Sequence, residues 1–171
     1  LGITPEEIGK LAIKKGIPTI LDYFNNESRK KIIKKHGKAK IITATNVFAH
    51  IDNVNNLISN IKKCLDKDGV FISESHYLLK VISGVQYDTI YHEHMRYYSL
   101  TSLQDLFKKN NLYIFHAKEI PTHGGSIRVY VSNDQNLKKT LEVKKILRKE
   151  KKIFSISSIE KFKENVFKSK L

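Results

Sequence analysis

Lys40-Ile41-Ile42-Thr43-Ala44-Thr45-Asn46, then Asp52 to Leu65, then Val70-Phe71-Ile72-Ser73-Glu74: this stretch decides the fold. The first run is apolar at its centre, as a strand covered on both faces of a parallel sheet must be. Asp52 to Leu65 sets Val54, Leu57, Ile58, Ile61 and Leu65 at helical spacing, and Asp68-Gly69 is expected to turn the chain into the second strand. A strand, a helix and a strand in that order form the crossover unit of an α/β sheet.

The same alternation extends in both directions. Upstream, Leu1-Gly2-Ile3 reads as the end of a buried strand, and Thr4-Pro5-Glu6-Glu7 matches a capping box that opens a helix from Pro5 to Lys15, stopped by Gly16. Ile17 to Tyr23 reads as a strand and Ser28 to His36 as a helix. Downstream, Leu100 to Asn110 is expected to be helical, and Leu112 to Glu119 with Ser126 to Ser132 to form an antiparallel edge pair. From Leu137 the chain is expected to be helical, broken near Phe154 and restarted by a capping box at Ser157-Ser158-Ile159-Glu160. The expected fold is α/β, a doubly wound and mostly parallel sheet. Its partial core covers 1–136, and a basic helical extension covers 137–171. A sheet that opens on a strand stub also implies an N-terminal truncation, with the first strand and the glycine-rich turn of a nucleotide site lying outside this chain.

Composition sets bounds. With 171 residues, 40% hydrophobic and 28% charged, the chain is long and apolar enough for one cored domain. No apolar run approaches the roughly 20 residues of a membrane helix, and no secretory leader opens the chain, so a cytoplasmic protein without a membrane partner is expected. Cys64 stands alone and reads as a packing residue. The net charge of +14 invites nucleic acid, but residues 137–171, with twelve Lys/Arg against four Glu, are Lys-dominated and carry no recognisable reading motif. That pattern predicts a solvated helical face and no specific nucleic-acid partner.

Site chemistry concentrates in two segments. Tyr87 to Leu100 packs His92, Glu93, His94, Arg96 and four tyrosines into fourteen positions, more than a fold requires. Pro121-Thr122-His123-Gly124-Gly125-Ser126-Ile127-Arg128 follows, with paired glycines that let backbone approach a ligand. Asn46 and His50 stand just past a strand end, where open α/β sheets place ligands. Asp22 and Tyr23 follow the preceding strand, as either ligand contacts or turn residues. His92 and His94 have metal-ligand spacing, but one cysteine and no third ligand nearby argue for no metal.

Ala44-Thr45-Asn46-Val47-Phe48-Ala49-His50-Ile51, Tyr91-His92-Glu93-His94 and Pro121-Thr122-His123-Gly124-Gly125-Ser126, in that order, resemble the sugar C-methyltransferases. That family uses S-adenosylmethionine to methylate a carbon beside the ketone of a nucleotide-linked deoxyhexose. The resemblance implies a class I methyltransferase core, with zinc confined to an N-terminal module outside this chain. It implies His94 as the base, Glu93 as its orienting carboxylate and Tyr91 as a hydrogen-bond partner of the substrate oxygen. Asn46, His50, His92, His123, Gly124, Gly125 and Arg128 would meet the nucleotide-sugar substrate; Asp22, Tyr23, Thr45 and Asn46 would meet the cofactor. Where the family carries an acidic residue for the cofactor ribose, this chain has Thr4. A carbohydrate O-methyltransferase and a catalytically silent carbohydrate- or partner-binding remnant are the alternatives.

Overall fold

A computed structural model describes residues 1–169, so the last two positions of the extension expected over 137–171 lie outside the described residues. In chain order the elements are β1 (Gly2–Ile3), α1 (Ile8–Lys14), β2 (Thr19–Ile20), α2 (Asn26–His36), β3 (Ala39–Thr45), α3 (Val54–Cys64), β4 (Leu65–His76), α4 (Leu78–Ser83), α5 (Leu100–Lys109), β5 (Tyr113–Ile120), β6 (Ser126–Ser132), α6 (Leu141–Ile153) and α7 (Ile156–Lys168).

The central unit forms as its pattern requires, with β3 parallel to β4 and α3 crossing between them. The Asn53 side chain caps α3 by accepting from the Asn56 N–H, and the helix turns Val54, Ile58 and Ile61 into the core. Asp68-Gly69 does not turn the chain. β4 already begins at Leu65, and the pair falls where the β3–β4 register shifts between Ala39 and Ile41. A Cβ on Gly69 would lie 2.8 Å from the Ala39 carbonyl oxygen, so glycine is what lets the two backbones close there.

Antiparallel strands complete the larger sheet in the order β3-β4-β6-β5. β6 is therefore interior, and within the expected edge pair only β5 has a free side. β1 and β2 form a separate two-stranded parallel sheet. β2 is shorter than the expected 17–23 strand because β1 offers it only Gly2 and Ile3 as partners. The Thr4 capping box is also replaced: Thr4 Oγ1 accepts from the Glu6 N–H, a tight turn follows, and α1 starts at Ile8. That turn seats Gly9 against Leu21, where a Cβ would meet the Leu21 side chain at 2.4 Å.

The core lies between the larger sheet and its helices. Phe48, Phe71 and Phe107 pack ring on ring with centroids 5.8 to 6.0 Å apart. Cys64 is buried, and burial pushes its thiol above the usual range, as suits an inert packing residue. The solvated face expected downstream of Leu137 holds for only one side of α6. Val143 and Ile146 join the core, and Glu150 is 1% exposed. The Glu150 carboxylate accepts from the Tyr77 hydroxyl, the Leu100 and Thr101 N–H groups and the Thr101 hydroxyl, so a side chain from α6 caps the N-terminus of α5. Burial, and then the charge of Glu150, push the Tyr77 hydroxyl well above the ordinary phenol range. α7 is capped by Ser155, whose hydroxyl accepts from the Ser158 N–H, two residues before the cap expected at Ser157. Among the described residues no helix is long and apolar enough to cross a membrane.

Candidate active site

The 87–100 segment has almost no regular structure, yet it is tied to the 48–52 turn at four points. The Met95 N–H donates to the Ala49 carbonyl, and His50 donates from Nδ1 to the Glu93 carbonyl at 3.0 Å. Arg96 donates to the carbonyls of Ile51 and Asp52, so the arginine in the run is a strut. Tyr98 donates to the Phe48 carbonyl from inside the core. These bonds bring the turn after β3 and the His-Glu-His motif into one place, as the linked sequence motifs imply.

Three histidines meet there. The His50 and His94 ring centroids are 5.1 Å apart, and His76, at the carboxyl end of β4, stands 6.4 Å from His94. Tyr91 packs on His94 at 4.5 Å between centroids, with its hydroxyl 3.4 Å from Nε2. His94 Nδ1 lies 3.1 Å from the Thr89 carbonyl oxygen. A carbonyl only accepts, so Nδ1 carries the proton and Nε2 presents a lone pair. The Tyr97 hydroxyl donates to the same carbonyl. The orienting partner of His94 is thus a backbone oxygen. Glu93, expected in that role, is exposed and supplies His50 with its carbonyl; among the described residues its carboxylate has no hydrogen-bond partner. His92 is exposed, with its ring centroid 5.8 Å from that of Tyr91.

The His-Gly-Gly loop approaches the cluster through Gln86, whose side-chain N–H donates to the Gly124 carbonyl at 2.8 Å. His123 has φ of 53° and is exposed. The Gly125 N–H is already bonded to the Thr122 carbonyl, so that donor of the expected backbone cradle is occupied. The Arg128 guanidinium holds the buried Glu74 carboxylate at 2.7 and 2.9 Å, and Thr122 donates to the other oxygen of Glu74.

Thr45 ends β3 and Asn46 follows it with φ of 55°, a left-handed position that asparagine tolerates; its N–H donates to the Glu74 carbonyl. Asp22 and Tyr23 stand beyond β2 in the separate sheet, with the Tyr23 N–H donating to the Asp22 carboxylate. Among the described residues no hydrogen bond or ring contact joins them to the histidines. Thr89, Gln86 and His76 are not among the residues singled out from the sequence, although the place of His76 at a parallel strand's carboxyl end was an available signal. Among the described residues no group of three or more His, Cys, Asp and Glu is placed to hold a metal ion.

Residues 5–117 match the sequence model of a family described as a methyltransferase domain. Over 133 residues the chain is 33% identical to the C-methyltransferase NovU of Streptomyces niveus, covering 77% of this chain and 32% of that protein. The chain thus spans about a third of the curated relative's length. An S-adenosylmethionine-dependent methyltransferase of Clostridium acetobutylicum ATCC 824 superposes with a TM-score of 0.54 at 14% identity, covering 76% of this chain and 73% of that one. A chain from a complex of the Haloferax volcanii Trm112 methyltransferase activator with a methyltransferase gives 0.58 at 13% identity, covering 78% and 71%. At such identities the likeness is one of fold.

Proposed function

This chain belongs to the methyltransferase-domain family, and on that premise we propose that it is part of an S-adenosylmethionine-dependent C-methyltransferase acting on a nucleotide-linked keto-deoxysugar. The C-methyl chemistry named for the Streptomyces relative favours carbon over oxygen as the acceptor. The residues expected at the cofactor fit its charge: Asp22, Asn46, Thr45 and Tyr23 offer carboxylate, amide and hydroxyl oxygens, and no Lys or Arg lies within 20–24 or 44–52. The cofactor supplies an electrophilic methyl group.

His94 Nε2 removes the proton beside the ketone. The single observation that supports this is the bond from His94 Nδ1 to the Thr89 carbonyl. It fixes the tautomer before the reaction and survives protonation of Nε2, so the ring does not turn between its two states. Tyr91, beside Nε2, hydrogen-bonds the ketone oxygen as it gains enolate charge. His50, held by the Glu93 carbonyl, presents its own Nε2 to the sugar.

The test is solvent deuterium exchange at the carbon beside the ketone, followed by NMR in the full-length protein without the methyl donor. His94→Ala is expected to slow exchange and turnover about 100- to 10,000-fold while leaving cofactor affinity nearly unchanged. Exchange at the wild-type rate in that variant would remove His94 as the base.

A further inference from the structure

We propose that His76 and Gln86 are positioning residues, a hydrogen-bonded bridge that holds the His123-Gly124-Gly125 loop against the segment carrying His94. In its effect on turnover this rests on the function proposed above; in its effect on the loop it does not.

The donor directions are forced. The Gly124 carbonyl can only accept, so the Gln86 amide nitrogen faces it at 2.8 Å, and the amide oxygen faces His76 Nε2 at 3.0 Å. His76 must therefore donate from Nε2. Both the neutral Nε2–H tautomer and the imidazolium carry that proton, so the bridge stands whichever charge His76 bears. Without His76 the amide oxygen loses the partner that fixes its orientation, and a flipped amide would set oxygen against the Gly124 carbonyl oxygen.

Gln86 joins the two site segments directly. Its backbone carbonyl accepts from the Thr89 hydroxyl at 2.8 Å, and Thr89 is the residue whose own carbonyl orients His94. Its side chain grips the loop. A Cβ on Gly124 would lie 2.7 Å from the Gln86 amide oxygen, and one on Gly125 would lie 2.5 Å from the Lys80 side chain. The paired glycines thus serve the close approach of Gln86 and Lys80. The His76 ring stands at 66° to His94 and 6.4 Å from Tyr97, which places the bridge in contact with the base's surroundings and not on the reacting nitrogen.

The experiment uses the full-length protein with four variants: Gln86→Ala, Gln86→Glu, His76→Phe and His76→Gln. Hydrogen–deuterium exchange mass spectrometry reads the peptide spanning 121–126. Gln86→Ala and His76→Phe are expected to speed its exchange roughly tenfold, because a loop held by fewer bonds opens more often. Gln86→Glu, which keeps an acceptor for His76 but offers no donor to Gly124, should do the same. His76→Gln, whose amide nitrogen reaches where Nε2 stood, should restore slow exchange. In turnover with S-adenosylmethionine and a nucleotide-linked keto-sugar, the three disrupting variants should raise KM about tenfold and leave kcat within about threefold, the pattern of lost binding without lost chemistry. Wild-type exchange in Gln86→Ala would overturn the bridge, and so would a His76→Gln variant as impaired as His76→Phe. Wild-type protein that turns over no keto-sugar would overturn the proposed function, with loop exchange still deciding the bridge.

Discussion

Around His94 the residues divide into those that touch its ring and those that hold it. Tyr91 belongs to the first group, and on the function proposed above Tyr91→Phe is expected to lower kcat by about 10- to 100-fold through the loss of a hydroxyl donor beside Nε2. Glu93→Gln should cost less than His94→Ala, because the exposed carboxylate makes no bond to the imidazole; initial rates of the purified variants rank the three. His94, Tyr91 and His50 were legible in the sequence because their side chains bring reactive groups to strand ends and an aromatic-rich loop. Thr89 was not, because what it contributes is a carbonyl that every residue possesses. Gln86 was hidden for a related reason: an amide in a loop carries no chemical signature until a partner defines which way it faces.

At the scale of elements, patterning located almost every helix and strand, while their ends followed tertiary contacts that sequence does not display. Ser99 illustrates the legible kind: it caps α5 reciprocally with Ser102 three residues on. Glu150 illustrates the other, since it caps α5 from fifty positions away. Glu150→Ala would leave the Tyr77 hydroxyl and two N–H groups at the head of α5 without their acceptor, a loss expected to cost about 3 kcal/mol. Denaturant unfolding of the full-length variant measures it, and a change under about 1 kcal/mol would show that water replaces the carboxylate. Nearby, burial alone would raise the Glu119 carboxyl, but Lys149 and Lys80 outweigh it and hold it below its ordinary range. α6 is thereby fastened to the sheet by charge as well as by Val143 and Ile146.

Over the whole molecule, charge is arranged by end. The histidine cluster gathers at the carboxyl ends of β3 and β4, whereas Lys38, Lys62, Lys63, Lys67 and Lys109 line a cleft of about 960 Å³ by the opposite strand ends. Those lysines lie on a short loop, at helix ends and at the start of β4, and Tyr113 lines the cleft with them, a set that favours diffuse attraction over base reading. Weak DNA or RNA binding without sequence preference is expected, falling steeply between 50 and 200 mM salt as counterion release requires. Fluorescence anisotropy across that range checks it, and a sequence-selective, salt-tolerant complex would contradict it. Overall topology was legible only in part: alternation announced an α/β sheet, but not that hydrogen bonding would stop between β1–β2 and β3.

That stop leaves β3 bonded to β4 along one side only. Along the other side no strand pairs with it among the described residues, and Ile41, 65% exposed, lies in β3 near Thr43 and Thr45. Such a border is a template for strand addition, by a further segment of the same protein or by another chain, and Lys38 and Lys40 stand beside it, the latter partly neutralised by Asp66. Losing the charge of Lys38 and Lys40 would leave that border less guarded against pairing with another chain wherever no strand of the same protein covers it.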